Sequence, residues 1–183
     1  MLIKIRDLEV EPLDFREEFA PGAIDLGEDV RQIAPLQGTG RAELVEEHHG
    51  KHETLLDIRL HGDVSTRLEV PCARCLEPVA LDVERSYDLL YRPQLAEAGK
   101  EEISVTAAEA EVSYYQGDGL QLEDALREQV LLAVPLKTLC SPGCKGLCAQ
   151  CGKNLNEGAC GCEVKTDDIR WTALKDLRNK LEQ

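Results

Sequence analysis

The sequence predicts an α+β protein with an antiparallel β-rich body, either a sheet or an open barrel, that contains one helix. Three observations predict this fold. Apolar residues alternate with polar ones over much of the first half of the chain, one segment near 121–133 has helical periodicity, and six of the eight cysteines lie between residues 140 and 162. We therefore divide the 183-residue chain into a β-rich body, 1–139, and a cysteine-rich tail, 140–183, that ends in a second helix.

The strands of the body are predicted from alternation with a period of two residues. In the clearest example, Leu56, Ile58 and Leu60 alternate with polar or charged residues. Such alternation is typical of an antiparallel sheet with one buried face. Residues 12–30 contain two prolines and two glycines, so we expect an irregular segment there. The expected strands are an N-terminal segment near residues 3–6 and the segments 41–47, 54–61, 66–70 and 79–91.

Two helices and one long loop complete the expected fold. Leucine and valine recur every four residues over 121–133 before Pro135, which predicts the helix of the body. The Glu- and Ala-rich residues 92–118 lack periodicity and are expected to form a loop. A C-terminal helix is predicted over 168–181, where Trp171 and three leucines form an apolar stripe.

Charge and hydrophobicity exclude several classes of function. The chain has 35 acidic and 21 basic side chains, for a formal net charge of -14, and the acidic excess lies in the body. Such a charge argues against a broad nucleic-acid-binding face. No segment approaches the roughly 18 consecutive apolar residues of a membrane-spanning helix, and the charged N-terminus does not resemble a secretory signal. We therefore expect a cytoplasmic protein with reduced cysteines and no membrane partner.

The eight cysteines have the spacing of metal ligands. Cys72 and Cys75 form one Cys-x2-Cys pair, and Cys148 and Cys151 form another. A turn with this spacing points two thiolates at one ion, and Zn²⁺ binds four such ligands in a tetrahedron. We therefore predict two structural zinc ions. The candidate ligands are Cys72, Cys75, Cys140, Cys144, Cys148, Cys151, Cys160 and Cys162.

The sequence allows two divisions of these cysteines. In the preferred one, the four cysteines from Cys148 onward close a local site, and Cys140 and Cys144 bind a second ion together with Cys72 and Cys75. In the other, all six tail cysteines form their own cluster. Iron–sulfur centres also use four cysteines. Zinc is preferred because these spacings are more typical of it.

Cys72 and Cys75 have an alternative interpretation as a thiol-redox pair. Redox Cys-x2-Cys pairs typically lie where a strand meets a helix, whose dipole lowers the thiol pKa. This pair lies between two predicted strands, as at a hairpin tip, with Arg74 as its only neighbouring cation. The sequence contains no dinucleotide-binding, Walker or nucleophile-elbow motif. Because a zinc ion with four thiolates has no open position for water, we expect no enzymatic activity and no small-molecule substrate.

Several segments resemble the bacterial YceD family. Residues 70–78, VPCARCLEP, resemble the family's Cys-x-Arg-Cys signature. The end of the predicted helix, 131–136, the cysteine-rich residues 140–156 and the segment 171–174 are similar to three other parts of the family pattern. The resemblance extends over about residues 1–180. It implies a role in the accumulation of large-subunit ribosomal RNA, and hence in ribosome biogenesis.

Resemblance and charge together define the expected function and partners. We expect a non-enzymatic factor that supports accumulation or assembly of large-subunit ribosomal RNA, by binding pre-ribosomal large-subunit RNA or a basic large-subunit ribosomal protein. Basic side chains of the tail suit RNA phosphates, whereas the acidic body suits a basic protein. The alternative function is that of a thiol-redox or metal-responsive protein that uses Cys72 and Cys75.

Overall fold

The body is built on a six-stranded sheet with one long helix against it. A computed structural model of the chain describes residues 1–49, 53–94 and 112–162. In chain order, the elements are β1 (Leu2–Lys4), α1 (Ile5–Leu8), β2 (Leu13–Phe19), β3 (Arg31–Gln32), β4 (Leu36–His49), β5 (Glu53–Pro71), β6 (Pro78–Pro93), β7 (Val112–Tyr115), β8 (Gly119–Gln121) and α2 (Leu122–Ala133). The sheet order is β2-β4-β5-β6-β7, with β3 paired to the far end of β5, and β1 pairs with β8 in a separate ribbon.

The core lies between one face of this sheet and α2. Ile58, Leu60 and Val64 of β5 are at most 1% exposed, because every second residue of the strand points towards the helix. Leu126 and Val130 of α2 are fully buried against that face. The predicted α+β class, with its antiparallel body and one long helix, is therefore confirmed. No helix of the described ranges is long and apolar enough to cross a membrane.

In the N-terminal part of the chain, one prediction is wrong and one predicted strand is shorter than expected. Residues 12–30, expected to be irregular, contain the seven-residue strand β2. This strand pairs with β4 along its whole length, so that Phe15 packs in the core. The prolines and glycines that suggested irregular structure lie outside the strand and bound it. The predicted N-terminal strand is shorter than expected, because the chain turns into a helix at Ile5.

Two further predictions differ from the structure elsewhere in the body. The segments 54–61 and 66–70, predicted as two strands, belong to one continuous strand, β5. Residues 92–118, predicted to be a loop, contain β7, which pairs in parallel with β6. The rest of that loop and the C-terminal helix predicted over 168–181 lie largely or wholly outside the described residues.

A hairpin turn joins the end of β5 to the start of β6, and it contacts the segment that follows α2. Pro71 and Pro78 form the last pair of the ladder, where the absence of a proline N–H ends regular pairing. Beyond them, Ala73 N donates a hydrogen bond to Thr138 O at 2.8 Å. The hairpin tip, with Cys72 at its base, thus lies against the start of the tail.

Candidate metal centres

The eight cysteines lie in two groups of four. Within each group, the four sulfur atoms lie within 4.8 Å of one another. The grouping agrees with the preferred division of the cysteines and not with a cluster of six. The hairpin site consists of Cys72, Cys75, Cys140 and Cys144, and the local site consists of Cys148, Cys151, Cys160 and Cys162.

Sulfur distances in the hairpin site fit one tetrahedral ion. Cys72 Sγ lies 3.8 Å from Cys144 Sγ, and Cys75 Sγ lies 3.6 Å from Cys140 Sγ. Zinc–sulfur bonds of about 2.3 Å in a tetrahedron separate the sulfur atoms by about 3.8 Å. A disulfide would require about 2.05 Å. The donor set therefore fits a zinc ion, and it does not fit disulfides.

The hairpin site is assembled from two distant parts of the chain, and Arg74 holds them together. The Arg74 guanidinium donates to Cys144 O at 2.7 Å, and the backbone oxygen of Arg74 accepts from Leu147 N at 3.0 Å. Sequence reasoning noted Arg74 only as a neighbouring cation. Its position between the two cysteines of the Cys-x-Arg-Cys segment was the signal that could have identified this role.

Gly146 permits this close contact. It has a φ of +76°, a conformation that L side chains rarely adopt. A Cβ atom at this position would lie 3.0 Å from Arg74 O, the atom that accepts from Leu147 N. Glycine is therefore required both by the backbone conformation and by the space.

The local site is a compact turn within the tail. Cys148 N donates to Lys153 O, and Gly152 N donates to Cys148 O, both at 2.9 Å. Gly152 has a φ of +72°, as expected for the glycine that follows the Cys-x2-Cys pair. Cys148 is buried, whereas Cys151 is exposed and the other two cysteines of the site are half-buried.

The electrostatics of both groups favour a bound cation. Backbone N–H groups, first that of Cys75, lower the pKa of Cys72 to about 6, and the N–H of Cys151 has the same effect on Cys148. By contrast, the neighbouring thiol of Cys151 raises the pKa of Cys162 to about 12. Four like charges this close are stable together only around a positive ion. Each group therefore contains thiolates that hydrogen bonds stabilise, together with thiols that would lose their protons only when an ion is bound.

The surroundings of Cys72 and Cys75 differ from those of a thiol-redox pair. The two residues are 0% and 4% exposed, so an attacking thiol has little access to them. They lie at the hairpin tip rather than at the start of a helix. The lowered pKa of Cys72 arises from backbone donors of the same turn. These features suit a metal ligand.

Two of the curated proteins that match the chain carry the name of a ribosomal RNA factor. The chain is 28% identical to an Arabidopsis thaliana protein over 151 aligned positions, and this alignment covers 69% of the chain and 46% of that protein. A Zea mays protein is 27% identical over 131 positions, covering 59% and 45%. Both are named large ribosomal RNA subunit accumulation protein YCED homolog 1, chloroplastic. An uncharacterized Mycobacterium tuberculosis protein is 31% identical over 120 positions, covering 66% and 55%.

The region of the match includes both four-cysteine groups. The chain spans about half the length of the curated relatives it matches. No solved structure matches it. The model of the family described as large ribosomal RNA subunit accumulation protein YceD matches residues 60–178, which contain the hairpin tip, α2 and all eight cysteines. The chain therefore belongs to the YceD family, as its Cys-x-Arg-Cys segment and cysteine-rich tail had indicated.

Proposed function

We propose that this chain is a non-enzymatic factor in ribosome biogenesis that supports the accumulation of large-subunit ribosomal RNA. Membership of the YceD family carries the proposal, since the matching model is named for that role. The two four-cysteine groups support a function without catalysis, because a zinc ion with four thiolates has no open coordination position. Eight cysteines without disulfides suit a reducing compartment, so we propose a cytoplasmic location.

The zinc ions would act structurally. The hairpin site takes two ligands from the body and two from the tail, so an ion there would attach the tail to the β5–β6 hairpin. An ion in the local site would hold the turn that follows. Ions with four thiolates also carry a net charge of about -2 each, because all four ligands are deprotonated. Two such sites would add about -4 to the charge of the region where the tail meets the body.

We propose a basic large-subunit ribosomal protein, rather than RNA, as the direct partner. The charges on the exposed sheet face support this choice, because its arginines are largely paired with carboxylates of neighbouring strands and are not free to bind phosphates. The paired distances are 3.2 Å for Arg41 and Asp14, 2.7 Å for Arg59 and Asp88, and 3.3 Å for Arg67 and Asp82.

A groove on the opposite side has the chemistry of a lysine or arginine site. It lies between β7, β8 and α2, and it is lined by Tyr91, Tyr114, Asp124 and Glu128. Neither carboxylate forms an ion pair with another described residue. Tyr91 is 4% exposed, and its hydroxyl has no hydrogen-bond partner among those residues. Carboxylates beside aromatic rings attract basic side chains, which supports a basic protein segment as the occupant.

Deletion of the gene tests the proposed function. We expect the amount of large-subunit ribosomal RNA to fall relative to small-subunit RNA, as measured by ribosomal-subunit profiling. The intact gene should restore it, and a Cys72→Ser gene should restore it less, because the hairpin site loses a ligand. Unchanged large-subunit RNA in the deletion strain would contradict the proposed function.

Charge reversal tests the partner separately. Full-length chains with Asp124→Lys and Glu128→Lys are compared with chains carrying Glu18→Lys and Glu84→Lys, which change the net charge equally on β2 and β6. Binding to purified basic large-subunit ribosomal proteins and to naked large-subunit RNA is measured over a range of salt concentrations. We expect only the groove variant to lose about tenfold or more in affinity for a basic protein. Tighter binding of the wild-type chain to RNA, or equal losses in both variants, would contradict the protein partner.

A further inference from the structure

One amide side chain connects the two cysteine groups. Asn156 lies in the loop between Cys151 and Cys160 of the local site. Its Nδ2 donates to Cys144 Sγ of the hairpin site at 3.3 Å, and its Oδ1 accepts from Lys145 N at 2.8 Å. The side chain therefore contacts both the sulfur and the adjoining backbone of a ligand that belongs to the other group.

The position of Asn156 depends on the local site. Cys151 and Cys160 lie at the two ends of its loop, so an ion bound by both would hold those ends in place. Leu155 N of this loop donates to Gly146 O at 2.9 Å, and Asn156 N donates to Asn154 Oδ1 within the loop at 3.0 Å. When the four local cysteines are brought together, the loop thus presents the Asn156 amide to Cys144.

Such a donor matters most when the sulfur is a metal-bound thiolate. Groups that hydrogen-bond to metal ligands orient those ligands, and their loss typically lowers metal affinity by about 10- to 100-fold. The Asn156 amide is the only side-chain donor to Cys144 Sγ that the described residues supply from outside the hairpin site. The loop of the local site therefore supplies one of the hydrogen-bond donors to the hairpin site.

We propose that Asn156 couples the two metal centres, so that filling the local site raises the affinity of the hairpin site for zinc. The inference rests on the proposed metal centres and adds an interaction between them. Because such coupling is reciprocal, filling the hairpin site raises the affinity of the local site by the same factor. Zinc then loads cooperatively, and partly filled chains are rare.

The coupling factor can be measured on full-length chains. Zinc affinity is determined by competition with a chelator for the intact chain, for a chain with Cys160→Ser and Cys162→Ser, and for a chain with Cys72→Ser and Cys75→Ser. The product of the two affinities of the intact chain is divided by the product of the two single-site affinities. We expect a factor of about 5 to 150.

Variants of the loop identify the group responsible. Asn156→Ala should lower the factor to about one while the chain still binds two zinc ions, which shows that both sites still form. Asn156→Asp keeps an acceptor for Lys145 N but replaces the donor to Cys144 by a carboxylate, so it should also abolish the coupling. The control is Glu157→Gln, an exposed neighbour in the same loop, which should retain the wild-type factor.

Two results would overturn the proposal in distinguishable ways. Two zinc ions per chain with a factor of one, or the same factor in the Asn156→Ala chain as in the wild type, would overturn the coupling and leave the metal centres standing. Fewer than two zinc ions bound by the intact chain would overturn the metal centres and the coupling together. Neither result bears on the ribosomal role, which the deletion experiment tests.

Discussion

The two cysteine groups offer the same set of four thiolates but lie in different surroundings. The hairpin site joins Cys72 to Cys144, which are 72 positions apart, and three of its four cysteines are buried. The local site is contained in residues 148–162, and only one of its cysteines is buried. The difference indicates two structural roles for one chemistry. An ion in the first group would attach the tail to the body, and an ion in the second would shape a loop.

Removal of one ligand from each site should give the largest difference between them. Cys72→Ser is expected to lower the free energy of unfolding by more than about 4 kcal/mol, because a structural metal site that joins distant segments is lost. Cys162→Ser should cost the body much less, since no strand supplies a ligand to the local site. Zinc content and denaturant unfolding of both variants test this prediction. Equal losses of stability would show that the tail is not attached through the hairpin site.

Access to the sulfur atoms should separate the sites next. A thiol reagent added to the zinc-loaded chain is expected to modify the exposed Cys151 before the buried Cys72, because reaction requires contact with the sulfur. Because Cys140 is the one exposed cysteine of the hairpin site, whereas three of the four local cysteines are exposed or half-buried, zinc should leave the local site first. Mass spectrometry of modified peptides, taken while zinc release is followed, gives the order. Equal rates of modification at Cys151 and Cys72 would contradict the difference in burial.

Two glycines allow a matched test of the contact between body and tail. Gly146 and Gly152 both have positive φ, so alanine at either position should cost about 1–2 kcal/mol of stability. Gly146→Ala should cost more, because its Cβ would also press on Arg74 O, whereas a Cβ at Gly152 meets no atom within 4 Å. Thermal unfolding of the two variants measures the difference. A larger effect at Gly152 would contradict the described packing.

Acidification should produce the smallest difference. Cys72 and Cys148 each have a pKa lowered to about 6, so the folded chain stabilises their thiolate forms. That stabilisation is complete above the ordinary thiol pKa of about 8.5 and is lost as pH falls through about 6. Both sites should therefore release zinc over the same acidic range. A pH titration with a zinc indicator tests this, and two well-separated release steps would contradict it.

Local periodicity predicted segments of β4, β5 and β6, each of which has one buried face, but it missed β2 and β7. Ile58 and Leu60 alternate with polar residues because their side of β5 is buried in the core that α2 completes. The same reasoning left residues 62–65 outside the predicted strands, a gap that begins at Gly62. In the sheet Gly62 lies opposite Gly40, and a Cβ on Gly62 would lie 2.1 Å from Thr39 O. This glycine permits close approach of two strands, a requirement that arises only once they pair.

The grouping of the cysteines was predictable, but their supporting contacts were not. Chain reach alone suggested a local site and a second one shared with Cys72 and Cys75, because close pairs in sequence need little chain to meet. Arg74 and Asn156 act on residues that are far away along the chain or in the other site. Their hydrogen bonds depend on how the body and the tail meet, which spacing does not encode. The metal ions and the C-terminal helix remain predictions.

The separation between Cys72 and Cys144 also determines when the hairpin site can form during synthesis. At about 5–20 residues per second, translation from one to the other takes about 4 to 14 s. During that interval the β5–β6 hairpin already exists in sequence while half of its ligand set has not been made. Its two thiols must stay reduced and free of other metals until the tail arrives. The hairpin site can therefore be completed only after synthesis has passed residue 144, and a chain truncated earlier lacks at least one of its ligands.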